Sequence, residues 1–197
     1  MKTLLRIDSS PRKSTSISRQ LADVLQSKLE AEVSYTTKNR DTYYDQLIHL
    51  GNEDSVTAYF TPENEQTATQ KEAIKASNIL ATEFAEADTY LFAVPMYNFS
   101  VSAGLKTYID LISRAGISFQ YTENGPQGLL KNKKAYVIIT TGGTKLGTEV
   151  DHVTGYMTTF LNFLGITDIE FINSDLIMTN AEEILEGAKT KIQNLSL

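Results

Sequence analysis

The sequence predicts an α/β fold, a five-stranded parallel sheet with helices on both faces. Two observations carry this. Short apolar runs of strand length alternate with longer segments whose apolar residues recur at helical spacing. No period of 20 to 50 residues repeats, and no linker divides the 197 residues, so one domain is expected.

Residues 3–8 alternate little and are apolar, as in a strand buried on both faces. A hydroxyl-rich loop, 9–18, then enters a helix marked by Ile17, Leu21, Val24, Leu25 and Leu29. A strand, a loop of small hydroxyl residues and a helix N-terminus make a phosphate site, because free N–H groups and the positive dipole end face the anion. The same serines also suit a plain N-cap in a polar loop. No Gly-rich P-loop is present. A second strand is expected over 32–37. From 39 to 61 the pattern weakens into short helices, read either as a lid or as a solvated excursion anchored by aromatics. Pro62 is expected to open the next helix, which runs through Ile74, Leu80 and Phe84 to Ala87.

The third strand, 89–94, is followed by Pro95-Met96-Tyr97-Asn98-Phe99, an inventory suited to a flat heteroaromatic ligand. Leu105, Tyr108, Ile109 and Ile112 mark a helix that Gly116 is expected to end. Residues 118–130 carry an Asn-Gly-Pro turn between apolar flanks and read as a protruding hairpin-like loop. Residues 131–134 are a short basic turn. The fourth strand, 135–139, ends in Thr140-Thr141-Gly142-Gly143, where paired glycines either admit a ligand or make a simple turn. Val153, Tyr156, Met157, Phe160, Leu161 and Leu164 trace a helical stripe closed by Gly165. A fifth strand (167–173) and a last helix (181–195) complete the chain. In the doubly wound order 2-1-3-4-5 the loops after strands one, three and four lie side by side, so the three ligand-suited stretches converge.

Composition narrows the function. There is no cysteine, which excludes disulfides, thiolate metal sites and cysteine nucleophiles. The net charge of −6, with no basic block, disfavours nucleic acid. No apolar run is long enough to span a membrane and no signal peptide is evident, so a cytoplasmic location is expected. The two histidines, His49 and His152, read as surface residues, and no acid–base dyad stands out.

The ordered set Pro95-Met96-Tyr97-Asn98-Phe99, Leu105-Lys106, Arg114-Ala115-Gly116 and Tyr121-Thr122-Glu123-Asn124-Gly125-Pro126 resembles the FMN-dependent NADH-azoreductases, also described as FMN-dependent NADH:quinone oxidoreductases. The similarity is dense over roughly half the chain. The resemblance implies a flavodoxin-like homodimer with one FMN per subunit. It places the FMN phosphate on Ser10, Ser16, Ile17 and Ser18. It places the flavin ring against Met96, Tyr97, Asn98 and Phe99 and against Thr140, Thr141, Gly142 and Gly143. It implies a ping-pong reaction in which NADH or NADPH reduces the flavin, and a quinone, azo or nitroaromatic acceptor then takes two electrons. The flavin carries the chemistry, so no catalytic side chain is assigned. Phe160, Phe60 and, from the partner subunit, Tyr121 are the expected substrate wall.

Two departures stand out. The family usually carries an arginine in the set that here reads Thr140-Thr141-Gly142-Gly143. Arg40-Asp41 is retained, but no proline lies between it and Pro62. Against the oxidoreductase stand a flavodoxin-type electron carrier without a nicotinamide site and a flavin-free interaction protein. The extended Tyr121 loop argues against the carrier, and the hydroxyl-rich loop against the interaction protein.

Overall fold

A computed structural model describes residues 1–196. Seven strands and six helices follow in the order β1 (Lys2–Asp8), α1 (Ile17–Glu32), β2 (Tyr35–Asp41), α2 (Glu53–Phe60), α3 (Ala68–Glu86), β3 (Thr89–Pro95), α4 (Ala103–Ile112), β4 (Phe119–Thr122), β5 (Gly125–Gly128), β6 (Lys134–Thr140), α5 (His152–Leu164), β7 (Asp168–Ser174) and α6 (Ala181–Gln193). The main sheet is wholly parallel, in the order β2-β1-β3-β6-β7. That is the expected 2-1-3-4-5 order, with an antiparallel β4–β5 hairpin inserted before the fourth sheet strand.

Strand periodicity divides the core in two. Leu5, Ile7, Tyr90, Phe92, Val94, Val137 and Ile139 point to one face and pack with Leu80 and Phe84 of α3, Leu105 and Tyr108 of α4, and Met157 and Leu161 of α5. Their neighbours Leu4, Leu91, Ala93, Tyr136 and Ile138 point to the other face, against Leu21, Leu25 and Leu29 of α1 and Ala188 and Ile192 of α6. Both faces of β1, β3 and β6 are therefore apolar, as parallel strands between helical layers require. Phe84 stacks on Tyr90 with ring centroids 4.3 Å apart. The Tyr90 hydroxyl, buried with its ring, donates to the Phe84 carbonyl at 2.8 Å.

Several boundaries differ from the sequence reading. α1 continues to Glu32, and β2 starts only at Tyr35. β2 is an edge strand of sequence Tyr-Thr-Thr-Lys-Asn-Arg-Asp, so it lacks the apolar run that marks inner strands. Its ladder with β1 and the pair between Arg40 and Glu83 of α3 hold it in place. α3 starts at Ala68 and not at Pro62. Thr67 and Gln70 form a reciprocal capping box there, while Pro62 precedes a short 3₁₀ turn at Glu63–Glu65. α4 ends at Ile112; Gly116 lies beyond it, at φ 82°, in the turn leading to β4. α6 ends at Gln193 rather than 195. No helix among the described residues is long and apolar enough to cross a membrane.

Candidate functional site

Three loops leave the carboxyl ends of β1, β3 and β6, and each is fastened to the sheet. In the first, the Ser9 hydroxyl donates to the Ala93 carbonyl at 2.7 Å. Arg19 donates to the Ser10 carbonyl at 2.6 Å and pairs with Asp8 and Asp41 at 3.1 and 2.7 Å. Arg6 also pairs with Asp8, at 3.2 Å. Burial raises the Asp8 carboxyl above its ordinary value, against the pull of both arginines. Ser16 caps α1, and its hydroxyl lies 3.1 Å from that of Ser18. Both hydroxyls are buried, together with Ser10. The cap serves Arg19, leaving the first-turn N–H groups of Ile17 and Ser18 without a backbone acceptor among the described residues.

The second loop is a tight turn. Tyr97 and Ser100 exchange two backbone hydrogen bonds, at 2.9 and 3.0 Å. Both central residues are left-handed, Asn98 at φ 48° and Phe99 at φ 69°. Asparagine tolerates this geometry, whereas phenylalanine is an outlier there. Pro95 ends β3, and the Met96 N–H crosses to the Thr140 carbonyl at 2.8 Å.

The third loop is braced by the segment after β7. Thr141 donates through its hydroxyl to the Thr144 carbonyl and accepts from the Leu176 N–H at 3.1 Å. Ile177 and Met178 donate backbone N–H groups to the carbonyls of Thr141 and Gly142 at 3.1 and 2.9 Å.

Between these loops lies a cavity of about 370 Å³. Ser10, Ser16 and Ile17 line it from the first loop, Met96 and Tyr97 from the second, and Thr140, Thr141 and Gly142 from the third. Eight of the twelve expected cofactor residues thus meet in one cavity. Ser18 sits behind Ser16. Asn98 faces a neighbouring cleft with Pro11, Tyr43 and Val101. Phe99, half exposed, and Gly143, exposed, line neither.

Sequence reasoning missed Arg12, Thr15, Ile177 and Met178, which also line the cavity. The last two follow the carboxyl end of β7, and the rule that ligands gather at such ends could have found them. The expected substrate residues lie elsewhere. Phe60 and Tyr121, 75% and 67% exposed, line a separate cleft, because α2 packs on α3 and not over the cavity. Phe160 is 6% exposed within the core beneath α5. His49 and His152 are exposed and line neither cavity.

The cavity's donor set fits a phosphorylated flat cofactor. Hydroxyls and helix N–H groups at one end suit the phosphate. Pro95, Met96, Tyr97 and a glycine edge suit a planar ring at the other. A Cβ on Gly142 would come within 3.0 Å of the Met178 sulfur, so the Met178 side chain packs against this glycine edge. Three loops meeting in one cavity at the carboxyl ends of β1, β3 and β6, in a parallel sheet of order 2-1-3-6-7, are the arrangement of flavodoxin-like nucleotide-binding proteins. Residues 1–195 match the family described as the flavodoxin-like fold.

More particularly, the chain belongs to the FMN-dependent NADH:quinone oxidoreductase family. It is 41% identical over 196 residues to FMN-dependent NADH:quinone oxidoreductase 1 of Jannaschia sp. (strain CCS1), covering 100% of both chains. It is 45% identical over 190 residues to the protein of the same name in Hahella chejuensis, covering 96% of this chain and 92% of that one. Its structure superposes on an azoreductase from Bacillus anthracis str. Sterne with a TM-score of 0.89, at 25% identity and 98% coverage of each chain.

Proposed function

We propose that this protein is an FMN-dependent NADH:quinone oxidoreductase that also reduces aromatic azo compounds, acting as a cytoplasmic homodimer. One observation carries the reading. Three loops from β1, β3 and β6, each suited to a different part of FMN, converge on one cavity in a chain of this family.

FMN, when bound, supplies the two-electron transfer between NADH and the acceptor. The chain binds, orients and excludes water. Ser10, Ser16 and Ser18, with the N–H groups of Ile17 and Ser18, hold the phosphate. Met96 and Tyr97 would support one side of the ring from within the cavity, and Asn98 and Phe99, outside its lining, would reach it from the rim of their turn; Thr140, Thr141 and Gly142 would border it, with Gly143 just beyond them. In the set where the family usually places an arginine, Thr140 offers a hydroxyl, so charge on the ring is met by a neutral donor, while the Thr141 hydroxyl is committed to the Thr144 carbonyl. Phe60 and Tyr121 line a cleft apart from the cavity of their own chain, so in this reading they wall the acceptor across the dimer interface. Phe160, buried in the core, is the third residue of the substrate set that the resemblance implies.

Anaerobic spectroscopy tests the proposal. The purified protein, or apoprotein given FMN, is expected to show a flavin band that NADH bleaches and a quinone restores. Absence of FMN uptake overturns the flavin reading. Uptake without rapid bleaching by NADH or NADPH moves the protein to the electron carriers.

A further inference from the structure

Arg12 stands in the first loop between Ser10 and Ser16, and it lines the flavin cavity with them. Among the described residues it is the one charged group in that lining. The family resemblance assigns it no role.

Its side chain is uncommitted, unlike those of the other arginines. Arg6 pairs with Asp8 and Asp23, Arg19 with Asp8 and Asp41, and Arg40 with Glu83 and Asp45. Arg114 donates to Asn78 and lies over the Tyr59 ring. Arg12 is exposed, and among the described residues no carboxylate comes within ion-pair distance of it. Its neighbour Lys13 sits 4.0 Å from the Tyr44 ring centroid and does not line the cavity.

The backbone that carries Arg12 is fastened from behind. The Arg12 N–H donates to Ser10 Oγ at 3.2 Å. The two carbonyls before it accept from groups outside the lining, that of Ser10 from Arg19 at 2.6 Å and that of Pro11 from the Tyr44 hydroxyl at 2.7 Å. Asp8 and Asp41 are held by Arg19, so they do not draw Arg12 away. The loop is thus fixed while its guanidinium is left for a ligand.

Charge balance says which ligand group needs it. A phosphate monoester carries about 1.5 to 2 negative charges at neutral pH. The α1 N-terminus supplies only about half a positive charge, and the serine hydroxyls are neutral. The net charge of −6 adds a general repulsion. Arg12 supplies the missing cation, and its planar fork suits two phosphate oxygens at once.

We propose that Arg12 is the counter-ion of the FMN phosphate and sets the cavity's preference for FMN over riboflavin. The inference rests on the FMN reading of this cavity and names the residue that decides its choice of flavin.

Fluorescence titration of the full-length protein, stripped of flavin, with FMN and with riboflavin tests it. Wild type is expected to bind FMN more tightly. Arg12→Gln is expected to weaken FMN binding about tenfold, the loss of one charge-assisted hydrogen bond, and to leave riboflavin binding unchanged. Arg12→Lys should recover part of the loss, because it restores the charge without the fork. Lys13→Gln makes the same change in net charge one residue away and should alter FMN affinity less than about twofold. Thermal unfolding of flavin-free Arg12→Gln should match wild type, since the side chain is exposed and unpaired. The proposal is overturned if Arg12→Gln binds FMN like wild type, if it weakens both flavins equally, or if Lys13→Gln matches its effect. Failure of the FMN reading is seen separately, in wild type that binds neither flavin or both alike, and the inference falls with it.

Discussion

Phe99 holds a left-handed backbone in a side chain that is 51% exposed, so neither its conformation nor its burial stabilises the free protein much. Such a residue costs about 1–3 kcal/mol, and strain of this kind gathers at ligand sites. Phe99→Gly removes the strain but adds roughly 0.5–1 kcal/mol of chain entropy. The expected net is a gain of about 1 kcal/mol in the FMN-free protein, read from urea unfolding. FMN affinity, read from flavin fluorescence, should fall in the same variant. Phe99→Ala should lose affinity without the gain in stability. If Phe99→Gly binds FMN as well as wild type, the ring has no part in the site. Asp151 poses a different question, one of protons. Burial would raise its carboxyl, but bonds from the N–H groups of Gly147, Thr154 and Val153 and from the Thr154 hydroxyl outweigh it and hold the carboxyl below its ordinary value. The native state therefore binds fewer protons than the unfolded state in the acid range. The stabilisation is present above the ordinary carboxylate range and lost as pH falls through the native pKa. Asp151→Ala should cost about 1 kcal/mol at neutral pH, as loss of a helix cap does. The gap in stability between wild type and Asp151→Asn should close on acidification; a gap independent of pH would refute the assignment.

The β4–β5 hairpin is joined to the domain by a contact between two glycines. A Cβ on Gly128 would meet the Gly165 nitrogen at 2.1 Å and the Leu164 carbonyl carbon at 2.2 Å, both backbone atoms that cannot rotate away. Gly165 closes α5 at φ 95°, and the Leu130 N–H completes the junction by donating to the Leu164 carbonyl at 2.9 Å. Gly128→Ala should destabilise by about 3 kcal/mol, at the upper end for overpacking. Limited proteolysis should then cut first within 119–128, and a variant that melts and cleaves like wild type would deny the contact its role. Both glycines were visible in the sequence, but their approach was not, because it joins segments 37 residues apart. The same limit explains the other misses. Inner strands announced themselves because both faces are apolar, and the Pro95 turn announced itself by residue type. β2 did not, since an edge strand is specified by its neighbour's ladder and by ion pairs such as Arg40–Glu83. Met178 did not, since it is an exposed methionine whose place beside Gly142 is set by two backbone hydrogen bonds from its loop to 141–142. Phe60 was expected in the substrate wall from the resemblance; the packing of α2 against α3 keeps it out of the cavity of its own chain.

At the scale of the whole molecule, the parallel order sends all its binding loops to one edge, and the cavity draws on the loops after β1, β3, β6 and β7. A ligand seated there would tie together segments that unfolding must separate. FMN is thus expected to stabilise the protein as a whole, and to do so by mass action. At a hundredfold excess over Kd the gain is about 2.7 kcal/mol. For a chain of this length that corresponds to a rise in Tm of roughly 5–11 °C. The phosphate site proposed on the first loop would make the effect selective. Riboflavin has the same ring but no phosphate, so it leaves the Ser10, Ser16 and Ser18 hydroxyls and the α1 N-terminus without their anion. Differential scanning calorimetry of stripped protein, with each flavin at equal concentration, separates the contributions. FMN should raise Tm through that range and riboflavin by far less. Equal shifts would place the binding energy in the ring alone and remove the phosphate from the first loop. Sedimentation of the same samples tests the proposed dimer, because a dimer coupled to the flavin site should dissociate more readily once stripped. A monomeric mass with FMN bound would leave Phe60 and Tyr121 without a partner flavin to face, and the acceptor wall would then have to come from Met178 and its loop.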